Sequence, residues 1–253
     1  MYSTIRFVIR FIFCGKQWFN RFEPRGQCLG SSMVRLVDII SHHLTCGSLT
    51  ARTETHAQGQ NIFYPGDCTK KVYFLVSGVV KLSRLLESGQ EMTLAFLGQD
   101  SVFGVLPLIT QQPSNRLYYA EAFTKVEVMS LVPDMVATMM REDPELPIAL
   151  MQSLSSRILY TERMIEIRAY QKTASKLVHF LLILCDDFGH PGCNGITIEL
   201  KITHQAIAET IGSTRTTVHR LLKEFKERKF ISIHKRKITV HNPSSLGKQY
   251  QIF

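Results

Sequence analysis

The sequence predicts an α+β chain in three parts: an N-terminal antiparallel β-barrel or jelly roll, one long helix, and a C-terminal winged helix-turn-helix. Three observations carry that order. From about Gln58 to Leu131, short apolar runs alternate with glycine turns. From 146 to 170, apolar residues recur at three-, four- and seven-residue steps. From Thr203 to Val240, two amphipathic helices joined by a glycine precede two alternating strands. The expected segments are a barrel over 36–145, a helix over 146–170 and a head over 171–253, behind a basic, disordered extension over 1–35.

In that extension Arg6, Arg10, Lys16, Arg21 and Arg25 face one acid, Glu23, among Phe7, Val8, Ile9, Phe11, Ile12 and Phe13. Arg-rich, acid-poor stretches resemble organelle transit peptides, and the interrupted apolar residues do not suit a secretory core. Translation from Met33, or an arm that touches DNA, are the other two readings.

The 253 residues, 45% of them hydrophobic, suffice for a normal core in two domains. No apolar run is long enough to cross a membrane as a helix. Cys14, Cys28, Cys46, Cys68, Cys185 and Cys193 lack paired spacing, which fits free thiols in a reducing compartment. Cys185, His190 and Cys193 have no fourth ligand, so no metal site is expected. His42 and His43 are neighbours and cannot share a helix face. With no nucleophile elbow, phosphate-binding glycine loop or catalytic metal pair, no catalytic residue is assigned and an enzyme is not expected.

The barrel strands read as Ile62–Asp67, Val72–Gly78, Val79–Arg84 and Met92–Leu97, with Gly66, Gly78, Gly89 and Gly98 at the turns. Small barrels of this kind hold ligands in their interior. Pro144 and Pro147 then open the long helix. Met151, Leu154, Ile158 and Ile165 form a coiled-coil seam interrupted by Thr161 and Arg168, and with Met151 at position a, Arg157 falls at g and Glu162 at e. A homodimer is expected, its two-fold axis matching a palindromic duplex.

In the head, Thr203 caps the first helix, Ile207 and Ile211 face inward, Gly212 makes the turn, and Ser213 or Thr214 caps the second helix. Val218, Leu221, Leu222 and Phe225 lie inward. Arg215, Thr216, His219, Arg220 and Lys223 lie outward, where an arginine can pair with a guanine edge. Ile231 and Ile233 pair with Ile238 and Val240 around Lys235 and Arg236, a wing placed to touch phosphate. The assigned duplex-contacting set is Thr203, His204, Gln205, Ser213, Thr214, Arg215, Thr216, Thr217, Val218, His219, Arg220, Lys235 and Arg236. From residue 171 onward, thirteen Lys and Arg oppose six Asp and Glu, so this third of the chain holds most of the net charge of +9.

The stretches Phe63–Asp67, Val72–Leu75, Val80–Arg84, Ser101–Leu106, Leu154–Leu159, Phe180–Cys185, His204–Glu209, Ile211–Arg215 and Ile231–His234 resemble the cAMP receptor protein/FNR family across residues 58 to 250. Within it the likeness is to the global nitrogen regulators of cyanobacteria and some plastids. The resemblance implies a cyclic-nucleotide-binding-like barrel, but its pocket chemistry differs here. Val105 and Leu106 follow Phe103-Gly104 where a cyclic-nucleotide site needs an acid for the ribose, while Arg116, followed by Leu117 and Tyr118, retains an anion partner. That suits a compact dianion, and the nitrogen-regulator likeness implies 2-oxoglutarate as effector rather than as a cofactor. It would be held by Phe103, Gly104, Val105, Leu106 and Arg116, with Arg157 and Glu162 from the seam.

Thr216 follows Arg215 where the cAMP receptor protein has a glutamate, so a half-site like GTA is expected over GTGA. The resemblance further implies activation of nitrogen-assimilation genes and contact with RNA polymerase. The expected compartment is a plastid stroma, or the cytoplasm of a cyanobacterium. Alternatives are a family member with another effector, cyclic-nucleotide or redox, and a metabolite-binding adaptor that no longer binds DNA. The scattered cysteines disfavour an iron–sulfur cluster, and the retained Arg215, Val218 and Arg220 disfavour the adaptor.

Overall fold

The computed structural model describes residues 35–46, 52–110 and 114–252. The basic extension before Arg35, with Cys14 and Cys28, lies outside them. The chain opens with helix α1 (Leu36–Cys46), which packs against the long helix, and then enters the strands. These are β1 (Arg52–His56), β2 (Asn61–Phe63), β3 (Cys68–Thr69), β4 (Val72–Ser77), β5 (Val80–Leu85), β6 (Glu91–Leu97) and β7 (Val102–Phe103). Helix α2 (Leu106–Thr110), β8 (Ser114–Asn115), β9 (Tyr119–Ala122) and β10 (Val126–Leu131) follow.

The strands stack as two four-stranded antiparallel sheets, β1-β10-β4-β7 and β2-β9-β5-β6, with a small β3-β8 ladder. This is the expected jelly roll, because facing inner residues such as Leu75, Val80, Leu82, Phe103 and Val128 are fully buried between the sheets, while Phe74 on the opposite face of β4 packs with the helices. It begins six residues earlier than Gln58. The extra strand, β1, reads Arg-Thr-Glu-Thr-His, pairs on one side only and carries no apolar alternation by which a sequence could announce it. Gly66, Gly78 and Gly89 do turn with positive φ, whereas after β6 the left-handed residue is Asp100 (φ 65°) and not Gly98.

Helix α3 (Pro133–Glu142) leads into α4 (Glu145–Ala169), the long helix, 25 residues with Pro144 as its N-cap. Leu146, Ala149, Leu150, Met164 and Ile167 bury one face of it, but Met151, Ile158 and Ile165 are 60%, 59% and 64% exposed. Leu154, the remaining seam residue, is half-buried against the protomer's own core.

The head comprises α5 (Thr173–Phe188), β11 (Gly189–Gly192), β12 (Gly195–Ile198), α6 (His204–Ile211), α7 (Arg215–Glu227), β13 (Ile231–His234), β14 (Lys237–Val240) and α8 (Pro243–Gln249). Its wing pairs Ile231 with Val240 and Ile233 with Ile238, as the alternation predicts. The wing is wider than expected, since β11 and β12 extend it to a sheet in the order β11-β12-β14-β13. The head does not swing free. Its core is continuous with Val79, Phe96 and Phe123 of the barrel, Phe96 lying 5.0 Å from Phe123 and 6.3 Å from Phe180 by ring centroid. Tyr160 of α4 packs on both cores and accepts a hydrogen bond from the Phe96 N–H at 3.4 Å.

Candidate nucleic-acid interface and effector pocket

In the head, local chemistry fixes both helix starts. The Thr203 hydroxyl accepts from the Ala206 N–H at 3.1 Å, and Thr214, not Ser213, caps α7 by accepting from the Thr217 N–H at 3.2 Å. Between them Gly212 adopts φ 64°, ψ 53°, the left-handed geometry that ends α6 and lets the Ser213 N–H return to the Ala208 carbonyl. Ile207, Ile211, Leu221, Leu222 and Phe225 are buried, which leaves Arg215, Thr216, His219, Arg220 and Lys223 exposed on α7. Val218 is a correction. It has no exposed surface, so it belongs to the head's core and cannot meet a duplex.

Of the other assigned residues, Thr203, Gln205 and Thr214 are exposed, while His204, Ser213 and Thr217 are half-buried. Gln205 is tied to Glu209 at 2.9 Å and the Thr217 hydroxyl to Thr214 at 2.9 Å. His204 lies with its ring 5.4 Å from that of His219, joining the two helices on the reading side. Burial, then the neighbouring His219 and Arg215, pull the His204 pKa below its ordinary value. Lys235 and Arg236 form the two-residue wing turn with φ 48° and 66°, exposed at its tip. Both are held in the left-handed conformation that such tight hairpins require.

The barrel site is built differently. Arg116 is 5% exposed. Its Nη1 donates to the Gly104 carbonyl at 2.8 Å, its Nη2 donates to the Lys71 carbonyl, and the guanidinium lies 4.7 Å from the Phe63 ring and 5.6 Å from Tyr73. Nε is buried without a partner, and no carboxylate among the described residues forms an ion pair with Arg116. Burial pushes its pKa below the usual arginine value. Gly104 is required here twice over: its φ is 67°, and a Cβ would stand 2.6 Å from Nη1 of Arg116.

Phe103 is fully buried in β7 and Val105 half-buried, while Leu106 is 41% exposed at the start of α2. The Gly104 N–H already donates to the Tyr118 hydroxyl at 3.3 Å. Tyr118, which sequence reasoning leaves out of the site, also carries the Arg157 guanidinium 5.6 Å from its ring. It therefore links the Gly104–Arg116 contact to the long helix. One protomer thus gathers Gly104, Arg116, Tyr118 and Arg157. It does not gather Glu162, which at about 100° per residue points within roughly 20° of Met151, onto the exposed stripe.

Among the described residues no cluster could hold a metal ion and no helix is long and apolar enough to cross a membrane. A cyclic nucleotide-binding domain is matched over residues 53–143 and a Crp-like helix-turn-helix domain over residues 175–248. The Global nitrogen regulator of Nostoc sp. (strain PCC 7120) is 52% identical over 211 residues, 83% of this chain and 95% of its own length. That of Synechocystis sp. (strain PCC 6803) is 54% identical, covering 78% and 88%. The putative HTH-type transcriptional regulator ycf28 of Porphyra purpurea is 28% identical, covering 76% and 79%.

Among solved structures, a CRP/FNR-family transcriptional regulator of Thermus thermophilus matches with a TM-score of 0.63 at 28% identity, covering 79% of this chain and 98% of that one. A CooA mutant of Carboxydothermus hydrogenoformans matches with 0.70 at 19% identity, covering 87% and 97%, a likeness of fold. With barrel, long helix and winged head in the shared order and over half the aligned residues identical to the Nostoc protein, the chain belongs to the cAMP receptor protein/FNR family of helix-turn-helix transcription regulators, in its global-nitrogen-regulator branch, and is not an enzyme.

Proposed function

We propose that this protein is a homodimeric regulator, chiefly an activator, of nitrogen-assimilation genes, controlled by 2-oxoglutarate bound between barrel and dimer helix. The observation that carries the effector reading is Arg116. A buried guanidinium with an unpartnered Nε and, among the described residues, no ion-paired carboxylate, only the longer-range attraction of Asp67, is costly to the folded chain. A dianion supplies the missing charge, and the absence of an acid after Phe103-Gly104 disfavours a nucleotide ribose. Tyr118 and Arg157 then carry the ligand's presence to α4, whose exposed Met151, Ile158 and Ile165 suit a partner helix bringing its own Glu162.

Pairing along α4 sets the separation of two α7 helices, which suits half-sites about one helical turn of DNA apart. The exposed Arg215 and Thr216 support a GTA-like half-site, and the names of the cyanobacterial relatives support nitrogen control. The architecture supports RNA polymerase as the partner at promoters. The Arg-rich extension supports a plastid stroma over a cyanobacterial cytoplasm.

Calorimetry with 2-oxoglutarate and, separately, with cAMP tests the effector. Heat with the first alone is expected, and a response to cAMP alone sinks the assignment. Sedimentation of the purified chain tests the dimer, with Ile158→Glu expected to yield monomers.

A further inference from the structure

The head and barrel meet through one buried cation that neither the effector pocket nor the reading face uses. Lys81 of β5, opposite Glu121 of β9 in the sheet, has a side chain only 7% exposed. Its Nζ lies 2.9 Å from Glu91 and 3.1 Å from Glu121, both in the barrel, and 3.6 Å from Glu209 on α6 of the head, itself 13% exposed. An ammonium has three donors, and three carboxylates surround this one. The two barrel arms have hydrogen-bond length and the interdomain arm is longer, so the lysine is anchored in the barrel and reaches across the joint. Burial opposes its charge, and the bonds to Glu91 and Glu121 outweigh that opposition and raise its pKa.

The neighbourhood explains what such a contact positions. Glu209 sits on the helix that the Gly212 turn joins to α7, and a cleft of about 420 Å³ beside it separates Gly89–Glu91 of the β5–β6 hairpin from Ser213–Arg215. With the head held there, Arg215, Thr216, His219, Arg220 and Lys223 all remain exposed. The phenylalanine contacts at Phe96 and Phe180 supply the apolar adhesion across the joint. The Lys81–Glu209 ion pair adds a second, charged point of attachment, and two separate points restrict rotation of the head more than one alone.

We propose that Lys81 and Glu209 are positioning residues for DNA reading: their contact holds the head at one angle on its barrel and so fixes the half-site spacing the dimer accepts. The inference rests on the DNA-reading, dimeric assignment above. It goes beyond it by naming the charged pair that, beside the shared apolar core, sets the head's angle on its barrel.

The test uses the full chain with 2-oxoglutarate present and palindromic duplexes whose half-sites are at the preferred spacing or one base pair closer or farther. One base pair rotates a half-site by about 34°, so a rigidly held head is expected to lose affinity on the scale of a mismatched base pair, about 1 to 3 kcal/mol or roughly five- to a hundredfold. Glu209→Gln keeps the side chain's shape and removes the attraction. It is expected to bind the preferred duplex about fivefold more weakly yet lose only about threefold on changing the spacing, the scale of one partly buried ion pair. An unchanged spacing penalty in Glu209→Gln overturns the proposal, whether its affinity falls or not, because a merely structural role would weaken all duplexes alike. The spacing ratio is taken within one preparation, so partial misfolding does not affect it. Failure of the unsubstituted chain to bind any of the duplexes would instead overturn the DNA-reading assignment, and this inference with it.

Discussion

Arg215 and Arg116 are both arginines assigned to meet an anion, and the chain treats them in opposite ways. Arg215 stands exposed in the first turn of α7, placed by a threonine cap and a glycine turn within a dozen residues of itself. Arg116 is enclosed, donating to carbonyls of Gly104 and Lys71, 12 and 45 residues away in sequence, and resting on Phe63 and Tyr73. An output surface must be open to a partner as large as a duplex, and its cost of desolvation falls due only when DNA arrives. An input site for a small dianion can be assembled beforehand, so that little ordering remains when the ligand binds.

The largest expected effect tests the preassembled side. Arg116→Ala should reduce 2-oxoglutarate affinity by at least about a hundredfold in calorimetry, the scale of removing a charge-assisted, desolvated partner. Unchanged affinity would mean the enclosed arginine only braces the barrel.

The base of the head sharpens the contrast next, because it is as closed as the surroundings of Arg116 although its reading face is open. His179 on α5 has an 11% exposed side chain, and burial, helped by Arg163, pulls its pKa down to about 4 from 6.5. Glu166, 3.7 Å away but 65% exposed, is too solvated to offset this. The fold favours the neutral ring and the unfolded chain binds the extra proton. The stability is therefore whole above pH 6.5 and is lost as pH falls towards 4, by roughly 2 to 3 kcal/mol. Urea unfolding at several pH values should show that loss, and His179→Gln should flatten it.

On the open side, Arg215→Ala should cost roughly 1 to 3 kcal/mol in duplex affinity and relax choice at the guanine. A footprint indifferent to the change would count against α7 as the reader. Lys235→Ala should have the smallest effect, weakening all sequences alike and lowering the salt slope of binding by about one.

The same contrast decides what the sequence made legible. The head could be read almost residue by residue, since its caps, glycine turn and inward face follow from spacing within one helical hairpin. The assignment of Val218 to the surface came from taking a whole segment as one face when helical periodicity already turned that residue inward. In the barrel, Arg116 and Phe103-Gly104 could be named from their chemistry and from family likeness, but Tyr118 could not. Its placement depends on register, which brings its hydroxyl to the Gly104 N–H and its ring to Arg157. Strand β1 escaped because edge strands need no alternation. The Lys81 cluster escaped because a lysine in a strand carries no local sign of three carboxylates from β6, β9 and α6.

The aromatic run from Phe123 through Phe96 to Phe180, with Tyr160 seated on both sides of it, has a thermal consequence. Two domains by descent share one continuous interior, so heat should melt them together in a single cooperative transition, and limited proteolysis should find no stable head released from its barrel.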